Sequence, residues 1–539
     1  MMSCCAEACA GFAARNLSDV LWCSLEMCSN PRIRFFTGLV LVSVVAAMMV
    51  CRGPVLRPAP ARIAPNAVPH SSKAEASNDA SAIEMKKTRA KTESDEGGLP
   101  ASGAPERGSS DRTIHTVRRG DSIESLTRHY LSQTSFMTSG ELASAIRAAN
   151  AGSVGRALQT GQQVVIPGLG SAPIVEKPVL IPKDREIRGI YLTGWTAGSI
   201  KGLELIRRWR EAGGNAVVFD AKDFDGLVNV PFGHPLVPKQ PHVLIHNLPK
   251  FAHFLHSLGL HAIARIALFR DEFLVQQHPE LAVRSRRSGR PWRENGKLVW
   301  TDPSRPEVQE YNLALARVVV NSGIEEIQFD YVRFPAEGDQ KDAKFAFESI
   351  HPDWERSDVI SDFLSRAYNE LHPLGALLSV DVFGVMAWQR EVDLDHTGQD
   401  VPTMARHCDV LSPMIYPSHF FRMDGYARPG DAPEHFIGAS MERFREITQE
   451  TGVVLRPWLQ AFAWRTPSYS PAYILTQVSV AKTEDGVGFL FWNARNDYSK
   501  LFSAMAQMRA KPGQSLQEMR SGSSAPKTRP KNQRSANPS

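Results

Sequence analysis

Cysteine is nearly missing from this chain beyond residue 51. Of seven cysteines, Cys4, Cys5, Cys9, Cys23, Cys28 and Cys51 lie before or at the end of one apolar segment, and only Cys408 follows. A disulfide framework in the later chain is therefore excluded. Cys4, Cys5 and Cys9 also form no CxxC pair with a histidine partner that would bind zinc. No HExxH helix occurs and the scattered histidines lack ligand spacing, so neither a metal nor another cofactor is expected. A glycine-rich loop ending in Lys-Ser/Thr is missing, as is a GxSxG elbow, which removes P-loop and serine-hydrolase chemistry. Excess charge is lacking too. A formal net charge of +5 over 539 residues, much of it in the tails, gives no basis for a nucleic-acid partner.

One long apolar run is present. Residues 35–51 carry no charge, follow Arg32 and Arg34, and precede Arg52. At about 1.5 Å per residue the run nearly crosses a hydrocarbon core of ~30 Å. It reads as an uncleaved transmembrane signal anchor or as a signal peptide, and the lack of a clean A-x-A-like site favours the anchor. Residues 1–34 are then an N-terminal leader. Residues 52–112, rich in Pro, Ala, Ser, Lys and Glu with almost no aromatic rings, read as a disordered linker. The expected setting is a bacterial cell envelope, with a membrane-anchored chain whose domains are exported to the periplasm or beyond.

Order is expected to return at residue 113. Ile114-His115-Thr116-Val117 alternates as a strand, Gly120-Asp121-Ser122 caps a helix through Ile123, Leu126 and Tyr130, and Glu141 to Ala149 form a second helix. A turn at Gly161-Gln162 leads into Val164-Val165-Ile166-Pro167. With Val117-Arg118-Arg119-Gly120-Asp121-Ser122 and Asn150, these motifs make residues 113–168 resemble a LysM module, a small α+β unit of βααβ order. The resemblance implies binding to an N-acetylglucosamine-containing glycan such as peptidoglycan. The loop from Ser132 to Gly140 is longer than in the common form, and a plain spacer is the competing reading.

From residue 186 to 508, strands and helices alternate, which fits an α/β fold built as one (β/α)8 TIM barrel. Strands are expected at Gly189–Trp195, Ala216–Phe219, Ala262–Ala267, Glu326–Phe329, Leu377–Val382, Val410–Ile415, Val454–Gln460 and Gly488–Trp492. Residues 509–539 turn basic and Gly/Ser/Pro-rich, a disordered tail. Barrel active sites lie at strand C-termini. The tips here supply Trp195, Asp220, Lys222, Arg265, Arg270, Asp330, Tyr331, Arg333, Asp381, Tyr416, His419, Gln460, Trp464, Trp492, Asn493 and Asn496. Aromatic rings beside carboxylates and amides suit a sugar, whose apolar faces stack and whose hydroxyls need hydrogen-bond partners.

Glycoside hydrolysis needs two carboxyl groups across the scissile bond. Asp330 ends the fourth strand and Asp381 the fifth, and neighbouring strands lie about 4.8 Å apart. Arg265 or Arg333 would keep one carboxylate ionised, while an apolar setting of Val382, Phe383 and Trp388 would raise the pKa of the other. An Asp–Arg pair with a structural role only is the alternative.

Ile190-Tyr191-Leu192-Thr193-Gly194-Trp195, the segment Phe219 to Gly226, Gln328-Phe329-Asp330-Tyr331-Val332-Arg333-Phe334-Pro335, Ser379-Val380-Asp381-Val382-Phe383-Gly384 and Ser412 to His419 together resemble a glycosyl hydrolase-like barrel family of bacterial envelope proteins. That family is distantly similar to the alpha-amylase-like superfamily. The resemblance implies Asp330 as nucleophile and Asp381 as acid/base, with Trp195, Asp220, Lys222, Arg265, Tyr331, Arg333, Tyr416, His419, Gln460, Trp492 and Asn493 as candidate substrate contacts. Three departures remove any implied alpha-glucan specificity. Gln328 stands where an arginine would precede the nucleophile, Asp381 replaces a glutamate, and strand seven offers Gln460 instead of a His-Asp pair. The expectation is a cell-envelope glycoside hydrolase acting on peptidoglycan or an amino-sugar exopolysaccharide, and the competing class is a non-catalytic envelope scaffold.

Overall fold

The computed structural model describes residues 113–152, 157–169 and 174–510. The leader, the 35–51 segment, the 52–112 linker and residues 511–539 of the expected tail lie outside the described residues. No helix among the described residues is long and apolar enough to cross a membrane.

The first described unit is built from four short elements. Strands β1 (Thr113–Thr116) and β2 (Gln163–Ile166) pair antiparallel around helices α1 (Ile123–Tyr130) and α2 (Ser139–Ala149). Ser122 and Thr138 start the helices, each accepting a backbone N–H three residues on, the hydrogen bond that an unpaired helix N-terminus lacks. Val117, Leu126, Leu142, Ile146, Val164 and Ile166 form its core. The Asn150 side chain bonds Val165 through both its amide atoms, at 2.8 Å each, and so ties the end of α2 to β2.

Eight parallel strands follow, β3 (Ile187–Leu192), β4 (Ala216–Lys222), β5 (His261–Ala267), β6 (Glu326–Asp330), β7 (Leu377–Phe383), β8 (Val410–Met414), β9 (Trp458–Gln460) and β10 (Gly488–Trp492). Each pairs with the next, and β10 pairs back onto β3, so the sheet closes into a barrel. The expected seventh strand is split. Val454–Leu455 pairs with the start of β8, and Pro457, which has no N–H to donate, interrupts before Trp458. Period-two alternation sorts the side chains. Val217, Phe219, Ile327, Phe329, Leu378 and Val380 pack beneath the outer helices, while Tyr191, Ala216, Val218, Ile263, Trp458 and Leu490 fill the barrel interior.

Helices α3 (Ile200–Glu211), α4 (Leu248–Ser257), α5 (Pro306–Asn321), α6 (Arg356–Leu371), α7 (Pro433–Thr448), α8 (Pro471–Thr483) and α9 (Ser499–Ala510) form the outer layer. In α5, Pro306 sits where a missing N–H costs nothing, and Val308, Tyr311, Leu315 and Val319 make the buried stripe. Gly323, at φ +98°, turns the chain into β6. Below the interior, Glu326 of β6 receives two hydrogen bonds from Arg456 Nη1, at 2.8 and 2.9 Å, and lies 2.7 Å from His261 Nε2 of β5. The βααβ unit touches the barrel where Lys250 Nζ donates to the Leu131 carbonyl at 2.6 Å and where Arg207 pairs with Glu141.

Candidate active site

The register of β6 against β7 pairs Phe329 with Val380, so the next residues, Asp330 and Asp381, end neighbouring strands side by side. Both line a cavity of about 650 Å³ at the C-terminal mouth of the barrel, together with Arg265, Tyr331, Arg333, Tyr416, His419 and Trp492. These are eight of the thirteen side chains expected as catalytic or substrate-contact residues. The two carboxyl groups have opposite surroundings. Arg265 Nε and Nη2 both donate to Oδ2 of Asp330, at 2.9 and 2.7 Å, a charge-assisted pair. Asp381, 1% exposed, accepts one hydrogen bond on Oδ1, from Trp458 Nε1 at 2.8 Å. Burial, then the nearby Asp330 charge, push its carboxyl well above the usual range, and the indole N–H pulls weakly the other way.

Arg265 is itself held from behind. Its Nη1 donates to Asp220 Oδ1 at 2.5 Å, and Tyr191 donates its hydroxyl to Asp220 Oδ2 at 2.5 Å. Burial raises the Asp220 carboxyl to about 7 despite the opposing charge of Arg265. Asp220 thus orients the guanidinium and does not line the cavity. Of the two arginines expected beside a carboxylate, Arg265 grips Asp330, and Arg333 pairs with no carboxylate among the described residues.

Four more expected contacts stand away from the cavity. An irregularity in the β4–β5 register between Asp220 and Lys222 admits one extra residue, which sends Lys222 to the outer side. There its Nζ meets Asp271 at 2.7 Å, Asn312 Oδ1 at 3.0 Å and the carbonyls of Ala267 and Leu268. Gln460 spends its amide on Phe462, Thr466 and the Ser418 N–H. Asn493 spends its own on Ala461, Asp497 and Arg495, knitting the loop after β10. Trp195 lies beyond β3 on a short helix, 57% exposed, with its ring 5.7 Å from His242.

Sequence reasoning missed Trp458, Phe383 as a wall residue, Met414, and the segment Phe420 to Met423. Period two was the available signal for Trp458, since it stands two residues before Gln460 on the same short strand. Tyr331 follows Asp330 at φ +51°, a conformation unfavourable for a bulky side chain, and its N–H donates to Asp330 Oδ1 at 2.6 Å. Trp492 and Tyr416 lie with ring centroids 5.7 Å apart and planes inclined by 30°. Burial and the charge of Arg465 lower the His419 imidazole to about 4, which leaves it neutral. Among the described residues, no group of three or more His, Cys, Asp or Glu is placed to hold a metal ion.

Comparison with known proteins bears on the whole barrel. The family model described as "Putative glycosyl hydrolase domain" matches residues 189–498. No curated protein matches the chain. Similar solved structures include a hypothetical protein from Ruminiclostridium thermocellum ATCC 27405, 34% identical over 36% of this chain and 97% of that one, with a TM-score of 0.31. The PgaB (BpsB) glycoside hydrolase domain from Bordetella bronchiseptica is 14% identical over 59% of this chain and 98% of its own, with a TM-score of 0.42. The spore cortex-lytic enzyme SleL from Bacillus megaterium QM B1551 is 13% identical over 73% and 85%, with a TM-score of 0.37. Because the family match spans more than half of the chain and contains both aspartates of the cavity, the protein belongs to the "Putative glycosyl hydrolase domain" family.

Proposed function

We propose that the barrel hydrolyses an O-glycosidic bond of an envelope polysaccharide by a two-carboxylate mechanism. The observation that carries this reading is the contrast between Asp330, gripped by Arg265, and Asp381, buried beside it with one indole donor. A carboxylic acid kept protonated can give its proton to the leaving oxygen, and a carboxylate next to it can attack the anomeric carbon. Strands spaced at about 4.8 Å suit the ~5 Å carboxyl separation of retaining enzymes. Asp381 is then the acid/base and Asp330 the nucleophile. Tyr331, Tyr416 and Trp492 offer ring faces to the apolar faces of a sugar.

The βααβ unit acts in this reading as a LysM module that docks on an N-acetylglucosamine-containing glycan, peptidoglycan first among them. The 35–51 segment anchors the chain in the membrane of a bacterial envelope, and the 52–112 linker gives reach. The test is release of new reducing ends from peptidoglycan and from N-acetylglucosamine polysaccharides by the full chain in detergent, beside its Asp330→Asn form. Cleavage that disappears in the variant while binding persists is expected. Binding by both proteins with no cleavage of any polymer would favour the scaffold instead.

A further inference from the structure

The cavity carries more positive charge than its two carboxyl groups balance. Of its four guanidinium groups, Arg265 is paired with Asp220 and Asp330, and Arg390 with Asp393 at 2.5 Å. Arg333 and Arg422 form no ion pair among the described residues. Arg422 is exposed at the rim and lies over the Phe421 ring. Arg333 sits deeper. Its guanidinium carbon is 4.5 Å from the Phe383 ring centroid, 4.8 Å from Trp300 and 5.3 Å from Tyr331, and only Nη1 is engaged, donating to the Phe334 carbonyl at 2.9 Å. Arg270, also without a carboxylate partner among the described residues, lies 5.9 Å from the Tyr331 ring.

A guanidinium has five N–H donors, and a charge withdrawn from water is normally paired. Three aromatic rings hold the Arg333 fork in place, and a fork held in this way is suited to an oxyanion that accepts two hydrogen bonds. Asp381, the proton donor in the proposed hydrolysis, adds no negative charge to offset it in that role. We infer that this wall recognises an oxyanion on the sugar chain, so that the substrate is an anionic glycan whose residue beside the cleaved bond bears a carboxylate or a sulfate. The inference rests on the proposed hydrolytic function and narrows its substrate class.

Binding separates it from that function. The probes are hyaluronan oligosaccharides, peptide-free glycan strands carrying lactyl carboxylates, and 6-O-sulfated chitooligosaccharides. Their comparators are the carboxyl-reduced forms and plain chitooligosaccharides. The full chain carries Asp381→Asn, which blocks turnover and keeps that site neutral. At least one anionic probe should bind roughly tenfold or more tighter than its comparator, the range of a charge-assisted hydrogen bond. Which probe shows the gain distinguishes carboxylate from sulfate. Arg333→Gln should abolish the gain without weakening the comparator, Arg333→Lys should restore part of it, and the exposed Arg422→Ala should reduce it in a salt-dependent way.

Equal affinity for anionic and neutral forms would overturn the inference. So would a loss in Arg333→Gln that falls equally on both, or a failure of every anionic probe to bind. Cleavage of a neutral polymer by the wild-type protein alongside equal affinities would overturn it and leave hydrolysis standing. Selective anionic binding without cleavage of any polymer would do the reverse.

Discussion

At the scale of single residues, the site depends on two aspartates in opposite surroundings. Asp381→Asn keeps shape and hydrogen bonding but removes the transferable proton, so kcat should fall roughly 10²- to 10⁴-fold, the usual worth of a positioned acid/base. The pH profile tests the assignment further. An acid acts while protonated, so the rate is full below its pKa and falls as pH rises through it. Trp458 donates to the ionised form and lowers that pKa, opposing burial. Trp458→Phe should therefore move the basic limb of kcat to higher pH. A purely structural role would lower the rate and leave the limb where it was. Gln328 stands where the amylase-like pattern has an arginine preceding the nucleophile. The guanidinium comes instead from Arg265, the residue paired with Gln328 across the β5–β6 ladder. The sequence offered Arg265 or Arg333 for this place, and only the ladder decides between them, because nothing within the strand announces which neighbour will face it.

At the scale of elements, the cavity wall depends on close backbone approach after β7. A Cβ on Gly384 would lie 2.7 Å from the Met414 carbonyl oxygen of β8 and 3.2 Å from the Phe420 ring. The carbonyl belongs to the ladder and cannot retreat, so the loop carrying Phe420 to Met423 would have to move. Gly384→Ala should cost about 1–3 kcal/mol by overpacking. A lower Tm in a thermal melt and a rise in KM larger than the fall in kcat would be the signs. The motif Ser379 to Gly384 was legible because its alternation and its glycine are local. The extra residue in β4 was not, since a register shift is a relation between two strands.

Across the whole molecule, the base of the barrel is fastened by a chain of ion pairs. Glu176, from the segment that enters the barrel, meets His253 and His256, and Glu325 meets His256 and His261. Burial lowers the pKa of both His256 and His261, but hydrogen bonds and charges of the glutamates outweigh it and hold both imidazoles above their ordinary value. A histidine raised in the folded state stabilises below its unfolded pKa of about 6.5, and that contribution is lost as pH rises through the native value. The urea midpoint should therefore decline as pH rises above about 6.5, and His256→Gln should flatten the decline.

Glu326 runs the other way. Burial raises its carboxyl, but the charge of Arg456 and the hydrogen bond of His261 pull it down to about 2. Its contribution is present above about pH 4.3 and is lost as pH falls toward the native value. Arg456→Met would leave that buried carboxylate with His261 as its only ionic partner and should cost about 3–5 kcal/mol in urea unfolding. Neither network was foreseen, because Arg456 and Glu326 are far apart in the chain and meet only when the sheet closes.

The amino-acid sequence by itself determined the alternation of strands and helices, the order of the eight strands, and the placing of Asp330 and Asp381 at the ends of adjacent ones. Those follow from periodicity and chain order, which are local properties. The tertiary structure decided which tip residues face the cavity. It turned Lys222 outward, locked Gln460 and Asn493 into loops, carried Trp195 away on a helical turn, and brought Trp458 and Arg265 onto the two carboxyl groups. Register, bulges and loop paths set those outcomes, and each is an agreement between segments distant in the chain, fixed only when the barrel closes and its side chains pack.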